Sequence, residues 1–201
     1  MELRSKIHFI LQGNIRKARI VMKVLMKITS IIDKINERVG KICAYSVILV
    51  MLVMVYEVLS RKIFNSPTIW AFETSIMIYA FLMIMISGYG LLTGSLVSVD
   101  IFVEKLSERN RHILSICMYL LLFIPFTTSM LLPALQFALN SWEIRELSWS
   151  QWAPPVYPIK TALPIGLFLL WIQGISQLLK SVMYLLSHRG EKPLEIKEER
   201  R

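Results

Sequence analysis

The sequence predicts an all-α membrane protein with four transmembrane helices preceded by an amphipathic interfacial helix. Three observations carry that prediction. The chain is 55% hydrophobic and only 18% charged. Its apolar residues fall into four blocks, Val39 to Tyr56, Ile76 to Leu92, Ile113 to Leu135 and Thr161 to Leu186, each close to the ~20 residues that cross a ~30 Å hydrocarbon core. The blocks lack the alternation of a membrane barrel, and open strands would leave backbone groups unpaired in lipid.

The net charge of +9 sits beside the blocks, which argues for a membrane surface and against nucleic acid. Arg4, Lys6, Arg16, Lys17, Arg19, Lys23, Lys27, Lys34, Arg38 and Lys41 precede the first block; Arg189, Lys192, Lys197, Arg200 and Arg201 follow the last. The first and third loops carry only Arg61 and Lys62, and Arg145 and Lys160, whereas the middle loop has Lys105, Arg109 and Arg111. The positive-inside rule then places both termini and the middle loop in the cytoplasm. The first block is long enough to remain as a span, so no cleaved signal peptide is expected. The chain divides into a basic N-terminal segment (1–38), a transmembrane domain (39–186) and a polar tail (187–201).

Between Ile20 and Val39, nine apolar residues share a helical arc of about 140°, with Lys23, Lys27, Lys34 and Arg38 along or beyond one edge. Such a helix is expected in the headgroup layer, packing against another protein being the other reading. Phe64-Asn65-Ser66-Pro67 predicts a turn, with Ser66 as helix cap and Pro67 at the first helical position. Gly90 and Gly94 form a GxxxG near the end of the second span, read as helix termination in preference to close helix packing. Residues 96–111 are expected to form a short interfacial helix. Pro125 and Pro133 are positions at which the third span can bend. Trp142, Trp149, Trp152 and Tyr157 form an aromatic belt at the outer surface, and Cys43 and Cys117 read as packing residues.

Catalytic apparatus is not visible. His8, His112 and His188 stand outside or at the edge of the blocks, unsuited to holding haem; no Cys/His cluster has zinc spacing and no Gly-rich loop precedes a Lys. No cofactor is expected. The spans carry no midplane carboxylate, only uncharged groups such as Thr127, Thr128, Gln173 and Ser176, and no broken helix of the kind that builds a midplane substrate site. The informative charges are Glu57, Arg61 and Glu73, at the edges of spans one and two. Glu57 and Arg61 are spaced i, i+4, and Glu73 can reach the same Arg across the turn. These groups either fasten the two spans or face another subunit.

The run RKIFNSPTIWAFE, the later GSLVSVDIFVEKLSERNR, and SWEIRELS followed by KTALPIGLFLLWIQG together resemble the small membrane subunit of tripartite ATP-independent periplasmic (TRAP) transporters, over roughly Ile35 to Tyr184. The matching positions are Arg61, Phe64, Asn65, Pro67, Trp70 and Glu73, then Val99 and Asp100, and finally Trp142, Glu146, Pro164, Gln173 and Gly174. Leu96 stands where the family often has His.

The resemblance implies a non-catalytic partner of a large, sodium-coupled, elevator-type permease subunit in the bacterial inner membrane, served by a periplasmic substrate-binding protein that delivers small organic acids such as 2-oxo acids or dicarboxylates. On that view Trp70 and Glu73, with Ala162, Gly166 and Gly174 on the fourth span, are expected to meet the large subunit, the small residues allowing close approach. A structural or assembly subunit of another membrane complex and a self-sufficient homodimeric transporter are the alternatives.

Overall fold

In the computed structural model, residues 2–95 and 106–187 are described, with side chains from Ile20 onward. The elements are α1 (Glu2–Ile63), α2 (Ile69–Met85), α3 (Ser87–Thr93), α4 (Glu108–Met118), a π-helical turn (Tyr119–Phe123), α5 (Ile124–Glu143), α6 (Tyr157–Lys160) and α7 (Ala162–Ser187). Among the described residues three helical stretches are long and apolar enough to cross a membrane; a fourth exists if α2 and α3, bent by 44°, count as one span. Asp100 and most of the expected 96–111 helix lie outside the described residues, as does nearly all of the C-terminal tail.

The amphipathic segment and the first span form one helix. No proline interrupts 2–63, so α1 keeps its hydrogen bonds for 62 residues, about 93 Å at 1.5 Å per residue. Its burial reverses a soluble amphipathic pattern. Ile20, Val21, Val24, Ile28, Ile31 and Ile35 are exposed, whereas Thr29, Asn36, Cys43 and Glu57 are buried. These four lie on one heptad-spaced stripe, the seam along which α1 packs. Gly40 continues it: a Cβ there would meet the Tyr89 ring at 2.3 Å.

The turn after α1 differs from the sequence reading. Asn65 takes a left-handed conformation, φ 49°, and Ser60 donates its hydroxyl to the Ser66 carbonyl at 2.7 Å. The N-cap position of α2 is Thr68, without a side-chain cap, so Ser66 does not cap and Pro67 precedes the helix. The second apolar block is not straight either. It breaks at Ile86, where Ser87 turns its hydroxyl back to the Ile84 carbonyl at 2.7 Å and Gly88 follows, a Ser/Gly pair of the kind that kinks helices. Gly94 ends α3 in the left-handed region, φ 69°, the termination expected of it.

In the third span the irregularity falls just before Pro125, which lacks the N–H for the preceding turn; the chain absorbs this as the π turn 119–123. Pro133 lies inside α5 without interrupting it. At the end of α5, Arg145 is left-handed, φ 45°, and Glu146 N–H donates to the Ser141 carbonyl at 3.0 Å, closing the last turn. α7 is the central element, packing against α1, α2, α3, α4 and α5.

Candidate functional site

The polar groups of this bundle gather in two tiers, named outer at the C-terminal end of α1 and inner near its middle. In the outer tier, Glu57 is 5% exposed at the end of α1. Arg61 donates to its Oε1 from Nη2 at 2.7 Å and Nε at 3.2 Å. The Thr68 N–H donates to Oε2 at 3.1 Å, and the Thr68 hydroxyl donates to the same oxygen. One carboxylate thus closes the corner between α1 and α2. Glu73 is not drawn in: its Oε2 is buried without a hydrogen-bond partner, so Arg61 pairs with Glu57. Trp70 packs on Tyr56, ring centroids 5.7 Å apart.

Across the same rim, Glu146 and Lys160 pair at 2.5 Å. The Lys160 hydrogen bond holds the Glu146 carboxyl below its usual range, and the ammonium also sits 4.2 Å from the centre of the Phe137 ring. The pair joins the loop after α5 to the entrance of α7. Ser148 N–H to Pro154 O (2.8 Å) and Val156 N–H to Glu146 O (3.0 Å) pinch that loop, leaving Trp149 fully exposed at its tip. Trp142 stacks edge-on against Tyr157 at 4.5 Å.

The inner tier was not foreseen. Asp33, which the sequence reading leaves in the N-terminal segment, docks on the last span. Its Oδ1 accepts from Gln173 Nε2 at 2.9 Å and from Ser176 Oγ at 3.0 Å, and its Oδ2 pairs with Lys180 at 2.7 Å. Asn36, fully buried, donates to Gln173 Oε1 at 2.8 Å. Asn36 Oδ1 has no hydrogen-bond partner. It faces Gly88, where a Cβ would lie 2.2 Å from it, so it rests against the glycine Cα. Lys180 also corrects the expectation that span four offers only uncharged polar groups. Lys160 and Lys180 are twenty residues apart, about 30 Å along a helix, so the tiers bracket one hydrocarbon thickness.

The small residues of α7 make close contacts within this chain. A Cβ at Gly166 would meet Ile84 Cγ2 at 2.5 Å and its carbonyl oxygen at 2.6 Å, and one at Gly174 would meet the Phe123 ring at 2.1 Å. Ala162 is likewise buried. Gly166 and Gly174 thus let α7 approach α2 and the π turn closely within this chain. Pro164 sits in the first turn of α7, where its missing N–H has no intrahelical partner to lose. The sequence did hold a signal for the inner tier: Thr29, Asn36 and Cys43, a stripe of polar and small residues recurring every seven positions along α1.

The family model for tripartite ATP-independent periplasmic transporters, DctQ component, matches residues 50–183, two-thirds of the chain. The chain belongs to this family. No curated protein matches it. As a DctQ component it is a multi-pass inner-membrane protein and part of a tripartite transporter, the kind of assembly that also contains a large permease and a substrate-binding protein. The matched region includes Gln173, Ser176 and Lys180 but not Asp33 or Asn36, so the inner tier joins the matched part of the DctQ chain to residues before it. No group of three or more His, Cys, Asp or Glu among the described residues is arranged to hold a metal ion.

Proposed function

We propose that this chain is the non-catalytic small permease subunit of a sodium-coupled TRAP importer of small organic acids, and that it scaffolds and anchors a large elevator-type subunit. The observation that supports this reading best is the double fastening of α1, to α2 through Glu57 and to α7 through Asp33 and Asn36. A bundle that ties its buried polar groups to one another is suited to standing still while a partner moves. Sodium coupling and carboxylate cargo rest on the family resemblance.

On this reading both termini are cytoplasmic. α1 carries residues 20–32 out of the bilayer on that side as a continuation of the first span, with Lys27 and Lys34 near the headgroups, where each basic residue contributes about 1 kcal/mol toward anionic lipid. With Ala162, Gly166 and Gly174 used internally, the outer rim remains for the large subunit: Trp70, which is 40% exposed, Trp142, 48% exposed, and Glu73, whose buried oxygen lacks a partner. The test is a mild-detergent pull-down of the tagged chain from its native membrane, followed by mass spectrometry. One large polytopic permease is expected in equal amount; recovery of the chain only with itself refutes the proposal.

A further inference from the structure

Between α4 and α7, at the inner end of the bundle, lies a cleft of about 320 Å³ that neither tier uses. Its walls are two polar ladders at helical spacing: Arg111, Ser115 and Tyr119 on one side, Gln177 and Ser181 on the other. Glu108 and Tyr184 stand at its end, the Tyr184 hydroxyl donating to Glu108 at 2.5 Å, and the His112 ring stacks on Tyr184 at 3.9 Å. Gln177 already donates to the Leu91 carbonyl at 3.3 Å, and Ser115 to the Arg111 carbonyl at 2.9 Å. These contacts order the walls, and Arg111 brings the one always-charged cation among the residues lining the cleft.

Depth and neighbours identify the ligand chemistry. Tyr184 lies one turn, about 6 Å, beyond Lys180, which puts Arg111 and His112 in the headgroup layer just outside the hydrocarbon. Leu114, Met118 and Leu122, each three residues on from a rung of the α4 ladder, are exposed and make an apolar lane leading from the cleft toward the bilayer core. The π turn begins at Tyr119, inside the cleft, and irregular turns of this type recur at functional sites. A polar cleft with one guanidinium, opening onto an apolar lane at the inner surface, suits a phosphodiester with acyl chains attached. We propose that this cleft binds an anionic phospholipid of the inner leaflet, with its phosphate on Arg111 and its chains along Leu114, Met118 and Leu122.

Native mass spectrometry of the full chain, purified with its copurifying subunits, delipidated and titrated with phosphatidylglycerol, tests this. Arg111→Gln is expected to lower retention about fivefold, equivalent to ~1 kcal/mol. Ser115→Phe, which fills the cleft without changing charge, is expected to do the same. Arg145→Gln, on the opposite face, leaves retention unchanged, and an unaltered melting temperature for each variant shows that the fold is intact. Equal retention by wild type, Arg111→Gln and Ser115→Phe overturns the proposal. So does equal retention of phosphatidylcholine, or displacement of the lipid by millimolar inorganic phosphate, which would assign the cleft to free phosphate.

Discussion

The outer and inner tiers use the same chemistry, a carboxylate satisfied by several donors, but they are built over different distances along the chain. At the outer corner Glu57 is held by Arg61, four residues on, and Thr68, eleven residues on. In the inner seam Asp33 and Asn36 reach Gln173, Ser176 and Lys180 across more than 130 residues. The local contact closes a turn, whereas the distant one sets how the first helix lies on the last. The seam is therefore where the arrangement of the bundle is decided, and the corner is where it is trimmed.

The sharpest way to break that comparison is Gly88→Ala. The added methyl would meet Asn36 Oδ1 at 2.2 Å and the Leu169 backbone at 3.2 Å, so it must part α1, α3 and α7. A loss of about 2–3 kcal/mol is expected in thermal unfolding of the detergent-purified protein, and a smaller loss in an Asn36→Ala background, where the first of the two clashes is gone. An unchanged melting temperature would mean that the seam is slack.

A double-mutant cycle between Asn36→Leu and Gln173→Leu should return a coupling of about 0.6–1.7 kcal/mol, the range for hydrogen bonds between membrane helices. The equivalent cycle for Glu57 and Arg61 should give less, and the remainder should fade with added salt, because the Arg61 side chain is 58% exposed. A larger coupling at the corner than in the seam would invert the ranking of the two tiers.

The smallest effect concerns pH at the outer rim. Lys160 holds Glu146 below the usual carboxylate range. The stability it contributes is fully present above about 4.3, the ordinary glutamate value, and is lost as pH falls through the lowered value. The melting-temperature advantage of wild type over Glu146→Gln should therefore be constant from pH 7 to pH 5 and disappear in more acid solution. An advantage that survives full protonation would mean that Glu146 acts through packing.

Much of this arrangement could be read from the chain alone, for reasons that differ between the tiers. Spans one, three and four were legible because each block is apolar for the length a bilayer requires. The Glu57–Arg61 pair was legible because i, i+4 spacing on a continuous helix leaves few other outcomes. The bend at Ile86 was not, since Ser87 and Gly88 kink a helix only when a neighbour such as Asn36 needs the room. Asp33 was invisible as a partner of Lys180 because nothing in either segment records how the two helices cross. Gly166 and Gly174 were legible as sites of close approach, but their neighbours Ile84 and Phe123 were not, because a small residue signals proximity without saying to what.

The continuity of α1 makes its two ends geometrically dependent on one another. Asp33 and Glu57 are twenty-four residues apart, about 36 Å of uninterrupted helix, and Asp33 is pinned to Lys180 like a fulcrum. A tilt of about 5° there would carry the Glu57 end roughly 3 Å sideways by the same geometry, enough to pull the carboxylate off Thr68 and uncover the corner with α2. Intact Thr68 hydrogen bonds therefore require the angle of α1 at the seam to be held within a few degrees.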